Sequence, residues 1–105
     1  MKARKLSEQR LSSRVPMGAP ASLKWADQQA TGYVENVNLG GLYVASKRLP
    51  ELGEYVELQF ALPENGRTFR VRASVVHTRR SGFGARFERP PLGLLEAIRG
   101  LSREH

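Results

Sequence analysis

There is no cysteine in this 105-residue chain. That absence excludes disulfides, thiolate zinc sites, iron–sulfur clusters and cysteine nucleophiles. Long apolar runs are missing as well. None approaches the roughly 20 residues that a helix needs to span a bilayer, so no transmembrane helix is expected. The N-terminal stretch carries Lys2, Arg4, Lys5, Arg10 and Arg14, with only Met1, Ala3, Leu6 and Leu11 as apolar groups between them. No apolar segment follows it, so a secretory leader is not expected and the cytoplasm is the expected location. Clustered carboxylates are absent too. His77 lies alone in a strand pattern and His105 is the last residue, so neither suggests a metal site. Ser12 and Ser13 have no base or ordering acid near them, so a hydrolytic triad is not supported and no enzyme is expected.

Acidic residues are the scarcer charge. Ten Asp and Glu face seventeen Lys and Arg, a net charge of +7. A surplus of this size points to an anionic partner: a nucleotide, a nucleic acid, anionic lipid or an acidic protein face. The 40% apolar share suffices for one core in a chain of this length.

Residues 1–9 read as a flexible basic tail and 10–20 as a loop entering the fold, rich in Ser, Gly and Pro and without a sustained period. From Ala21 the pattern alternates. Ala21, Leu23 and Trp25 make a half-buried strand. Thr31 to Val37 is a second by β-branched and aromatic content, and Leu42 to Ala45 a third after the break at Asn38–Gly41. Val56, Leu58, Phe60 and Leu62 alternate, then Phe69, Val71, Ala73 and Val75, then Phe83, Ala85 and Phe87. Pro63-Glu64-Asn65-Gly66 is a hairpin signal. Six short strands with turn signals between them predict an all-β fold, a six-stranded antiparallel barrel over 21–88. Pro90-Pro91 then precedes Leu92, Leu95, Ile98 and Leu101, which predicts one C-terminal α-helix over 91–103. The whole of 10–105 is expected to be one domain.

Two segments stand out as more than scaffold. Arg10 and Arg14 are four apart just before the barrel, a pair of forked donors suited to phosphate oxygens and to the O6/N7 edge of guanine. Two arginines in a basic tail also serve simply to keep it solvated, and charge alone does not separate these readings. In Asn36-Val37-Asn38-Leu39-Gly40-Gly41, two amides alternate at a strand end before a glycine pair. Such a segment can satisfy a base edge and admit a ligand close to the backbone, or it is an Asx turn between strands.

Together, Arg10-Leu11-Ser12-Ser13-Arg14 and Asn36-Val37-Asn38-Leu39-Gly40-Gly41 resemble the Arg-x-x-x-Arg and (Asp/Asn)-x-(Ser/Ala)-x-x-Gly motifs of the PilZ domain, a family that binds the bacterial second messenger cyclic di-GMP. Gly82-Phe83-Gly84-Ala85-Arg86-Phe87 is similar to the family's last strand, and the six-stranded barrel with a helix behind it agrees. The resemblance implies that Arg10 and Arg14 grip the ligand phosphates and a guanine edge. It implies that Asn36 and Asn38 hydrogen-bond guanine at the barrel mouth, and that Gly41, assisted by Gly40, keeps side chains off the base. Gln9 occupies the position thought to influence whether one ligand or a stacked pair binds. Asn38 departs from the family's small Ser or Ala, and either crowds the guanine or supplies a different hydrogen bond. Arg79-Arg80, at the end of a predicted strand, either reaches a phosphate or is a solvated hairpin tip.

The expectation is therefore a receptor in which cyclic di-GMP orders segment 1–20 and the new surface is recognised by a separate downstream protein. Two alternatives stand beside it: a PilZ-like adaptor that no longer binds nucleotide, and a small basic barrel that binds RNA or single-stranded DNA. Against the second, Phe69, Phe83 and Phe87 fall at inward positions and leave no aromatic stacking platform outside.

Overall fold

In a β-strand, successive side chains face opposite ways, so an alternating sequence has one wet face and one dry face. The computed structural model of the protein describes residues 14–104. It has six strands: β1 (Val15–Trp25), β2 (Gln28–Val37), β3 (Gly41–Ala45), β4 (Tyr55–Ala61), β5 (Thr68–Arg79) and β6 (Gly82–Glu88). They close into an antiparallel barrel in the order β1-β2-β3-β6-β5-β4. The alternation decides what lies inside. Val56, Leu58 and Phe60 of β4 are at most 2% exposed, and Phe69, Phe83, Phe87 and Trp25 join them in one apolar cluster. Gln9 and Arg10, with the rest of the proposed tail, lie outside the described residues.

β1 begins at Val15, so residues 15–20 are strand rather than the loop that composition suggested. The signal was hidden by Pro16, Gly18 and Pro20. Proline cannot donate to a ladder, and Gly18 sits at φ 69°. A register shift between Pro16 and Ala19 takes up the irregularity, after which β1 pairs with β2 without a break to Trp25. Asn65-Gly66 does turn the β4–β5 hairpin. Gly66 has φ 71°, Asn65 Oδ1 accepts from the Arg67 amide at 2.9 Å, and the Leu62 amide donates to the Arg67 carbonyl at 2.8 Å.

Two β-bulges matter for everything outside the barrel. Against β3, β2 shifts register between Val34 and Asn36. Against β6, β5 shifts between Val75 and His77. Each shift inserts one extra residue, Glu35 and Val76, and an extra residue reverses the inside–outside alternation beyond it. Strict alternation would send Asn36 inward with Val34, and His77 inward with Val75. Instead Val34, Val37 and Val75 are buried, Asn36 pairs with outward-facing Tyr43, and His77 pairs with outward-facing Gly84. Both polar residues are thereby placed on the outer wall.

The C-terminal helix, α1 (Leu92–Glu104), follows Pro90-Pro91 as expected. Its dry face differs from the predicted one. Leu94, Ile98 and Leu101 are buried, whereas Leu92 is 70% exposed. Three residues fall about 60° short of a full turn, so an i, i+3, i+6, i+9 row drifts around the helix by about 180°, while i, i+4, i+7 stays on one side. Gly93 lies where a Cβ would come within 2.8 Å of Arg67 Nη2, and that guanidinium covers the Phe69 ring at 5.0 Å.

Candidate ligand-binding site

The β1–β2 pairing brings the start of β1 to the end of β2, with Val15 opposite Val37 and Pro16 opposite Asn36. Arg14, immediately before β1, is therefore carried to Asn36. Its Nη1 donates to Asn36 Oδ1 at 2.8 Å. The bond is possible because the bulge at Glu35 turns Asn36 outward. Arginine has five donors in a planar fork, and fixing one of them on Asn36 sets the plane in which the others point.

The turn after β2 is held by its own side chain. Asn38 Oδ1 accepts from the amides of Gly40 and Gly41, each at 2.9 Å, and the Asn38 amide donates to the Gly41 carbonyl at 2.9 Å. This is the Asx turn that the sequence allowed as its plainer reading. Asn38 thus uses its carbonyl oxygen to shape the loop. Gly41 has a different reason from the one expected. A Cβ there would collide with the Ala85 carbonyl of β6, so the glycine serves the close approach of β3 to β6 whether or not a base is present. Gly40 is exposed, and a Cβ on it would meet only Asn38 Oδ1 at 3.6 Å. Its carbonyl accepts from the Phe87 amide at 2.9 Å, which ties the turn to β6.

These elements border a depression of about 310 Å³. It lies where the turn after β2 meets the outer wall β3–β6–β5. Arg14, Asn38, Gly41, His77, Gly84 and Arg86 are among its lining residues. Among the described residues no carboxylate lines it, and two arginines do, which favours an anion there. Larger depressions of about 630 and 560 Å³ over β1, β2, β4 and β5 both include Glu57 beside Lys24, another of about 470 Å³ includes Asp27, Glu51 and Glu54, and none of these includes a motif residue. Size favours these larger ones. Charge and the convergence of the motif favour the smaller, and for an anionic ligand charge decides.

Of the residues singled out in the sequence, the structure gathers Arg14, Asn38, Gly40 and Gly41 around the depression, with Asn36 behind Arg14. Arg79 and Arg80 do not line it. Arg79 lies 6.0 Å over the Tyr43 ring and Arg80 follows in the exposed hairpin turn. Gln9 and Arg10 lie outside the described residues.

Two polar lining residues, Arg86 and His77, escaped the sequence reading. Arg86 faces outward opposite Gly41, and a glycine opposite a long side chain leaves it room. His77 could not be foreseen, because the bulge that turns it outward has no sequence signal.

Among the described residues, no group of three His, Cys, Asp or Glu could hold a metal ion, and no helix is long and apolar enough to cross a membrane.

Known proteins bear on the fold and the family. The PilZ domain family model matches residues 8–104. No curated protein matches the chain in sequence. Among solved structures, the PilZ domain of CeSA from a cellulose-synthesizing bacterium is similar with a TM-score of 0.71 at 22% identity, over 90% of this chain and 100% of that one. The Bacillus subtilis inhibitor of motility MotI/DgrA is similar with a TM-score of 0.70 at 18% identity, over 87% of this chain and 48% of that one. The Borreliella burgdorferi PlzA protein, solved in complex with c-di-GMP, gives 0.64 at 16% identity, over 95% of this chain and 44% of that one. At such identities the structural likeness is one of fold; the family match, which takes in the barrel, the helix and both motif segments, goes further, and the chain belongs to the PilZ domain family.

Proposed function

We propose that the protein is a cytoplasmic bacterial receptor for cyclic di-GMP without catalytic activity, and that binding is coupled to ordering of its N-terminal segment and to recognition by a downstream protein. The observation that carries this reading is the Arg14–Asn36 hydrogen bond. It joins the two motif segments at the rim of a depression that, among the described residues, is lined by arginines and no carboxylate. A dinucleotide with two phosphates needs cationic forks for its phosphates and polar edges for its bases. Arg14, oriented by Asn36, and Arg86 supply the first, and Asn38 at the end of β2 supplies the second. In this reading Arg10 completes the pair of forks when the N-terminal segment orders over the ligand. Ordering that segment costs conformational entropy, which the charge-assisted contacts offset. PlzA, of the same fold, was solved with this ligand.

A nucleic-acid role is less well supported. Tyr33, Tyr43 and Tyr55 stand on three different strands, and Tyr55 is covered by Arg72 at 4.3 Å, so no run of stacking faces tracks a single strand of bases. Calorimetric titration with cyclic di-GMP, with GTP and the linear dinucleotide as controls, tests the reading. Saturable heat specific to the cyclic ligand supports it. A flat trace in all three leaves the nucleotide-independent adaptor.

A further inference from the structure

His77 is a polar side chain that neither motif contains, yet it lines the same depression as Arg14 and Arg86. Its placement is built by four separate features. The bulge at Val76 turns it outward on β5. Gly84, directly opposite on β6, lacks the side chain that would block it: a Cβ there would collide with the imidazole, Cε1 first and then the two ring nitrogens. The N–Cε1–N edge of the ring therefore lies over the glycine. Tyr43, opposite Gly84 on the other side from β3, flanks the ring with centroids 6.0 Å apart and planes inclined by only 21°. Gly82 extends the same lane, since a Cβ there would come within 2.6 Å of the Tyr43 hydroxyl oxygen. Two outward glycines on one strand thus leave a trough, and two rings from the neighbouring strands lie across it. His77 remains partly exposed and Val76 beside it is 44% exposed, so ring and aliphatic carbon are open at this point, with the Arg79 guanidinium 6.0 Å over the Tyr43 ring beside them.

We propose that the imidazole of His77, held across Gly84 and braced by Tyr43, is a base-stacking element of the depression: it receives a purine ring of the bound dinucleotide, while the guanidinium groups of Arg14 and Arg86 hold the phosphates. This deepens the receptor reading and rests on it. Bases are bound by aromatic faces, histidine among them, wherever the sugar–phosphate is held by cations nearby. A ring already fixed in its seat loses little freedom on binding, which favours affinity. The physical requirement is a flat face, so the role is transferable to another aromatic ring and not to an aliphatic side chain.

The test is calorimetric titration of the full chain with cyclic di-GMP, comparing wild type with His77→Ala, His77→Phe, Gly84→Ala and Arg14→Ala, each first checked for a native thermal transition. The expected result is a Kd raised about tenfold to a hundredfold by His77→Ala, the span of one base stack. His77→Phe is expected to restore it to within about threefold, because a ring face remains. Gly84→Ala keeps the imidazole but occupies its seat, and is expected to weaken binding in the same direction as His77→Ala. Unchanged affinity in His77→Ala while Arg14→Ala binds weakly would overturn the stacking role and leave the receptor reading intact. A His77→Phe variant as weak as His77→Ala would also overturn it, since an edge contact rather than a face would then be at work. A wild-type chain that does not bind cyclic di-GMP removes both.

Discussion

Arg14 Nη1 and Asn36 Oδ1 meet at 2.8 Å although 22 residues separate them in sequence. One member stands at the entrance to β1 and the other at a bulge near the end of β2, so the strand pairing itself assembles the rim of the site. In the proposed receptor Asn36 would act on the ligand through the orientation of Arg14.

That arrangement makes a double-mutant cycle informative. Arg14→Ala is expected to weaken cyclic di-GMP binding by about 1.5–3 kcal/mol, the scale of a hydrogen bond to a charged group. Asn36→Ala should cost less, about 0.5–1.5 kcal/mol. Because one residue works through the other, the double variant should lose less than the sum. Calorimetry on the four proteins checks this, and additive losses would show that the two act separately.

The two glycines of the turn should behave differently. Gly41→Ala forces a Cβ into the Ala85 carbonyl, and a misfit of that kind costs about 1–3 kcal/mol of stability. Gly40→Ala meets only Asn38 Oδ1 at van der Waals distance and should stay within about 0.5 kcal/mol of wild type. Urea unfolding of both variants without ligand is the measurement. Equal midpoints would contradict the close β3–β6 approach.

The buried stripe of α1 can be tested on two leucines. Leu94→Ala empties a fully buried position and should cost about 2–5 kcal/mol. Leu92→Ala, at a position 70% exposed, should change stability by less than about 0.5 kcal/mol. The reverse order in thermal unfolding would restore the dry face that the sequence suggested.

Within the same helix, Gly100 has open space where a Cβ would go. Gly100→Ala should stabilise the protein by about 0.4–1 kcal/mol, mostly by narrowing the unfolded ensemble. In a domain of this size that raises Tm by several degrees, on the order of 4–8 °C per kcal/mol. A lowered Tm would mean that the helix needs the glycine.

Much of the barrel was legible because its physics is local. Alternation alone placed Leu23, Trp25, Leu58, Phe60, Val71 and Phe83 inside, and Asn65-Gly66 turned where its backbone freedom allows. What escaped was non-local. Pro16, Gly18 and Pro20 disguised the first half of β1, which is strand only because β2 pairs with it. The bulges at Glu35 and Val76 follow from register between strands and leave no trace in composition, yet they decide that Asn36 and His77 face outward. The helix face was misjudged because two leucine rows differ by one residue in spacing. At the site, the motif spacing pointed to Arg14, Asn36, Asn38, Gly40 and Gly41. The same spacing could not distinguish the glycine that strand packing requires from one that a ligand would require, nor bring in Arg86 from the neighbouring strand β6.

The most direct test of the proposed site is the affinity of wild type and Arg14→Ala for cyclic di-GMP, measured side by side by calorimetry at one salt concentration. The account expects saturable binding by the wild type, and a Kd raised by roughly one to two orders of magnitude in the variant with its thermal transition unchanged. Equal affinities in the two proteins, or no heat from either, would contradict it.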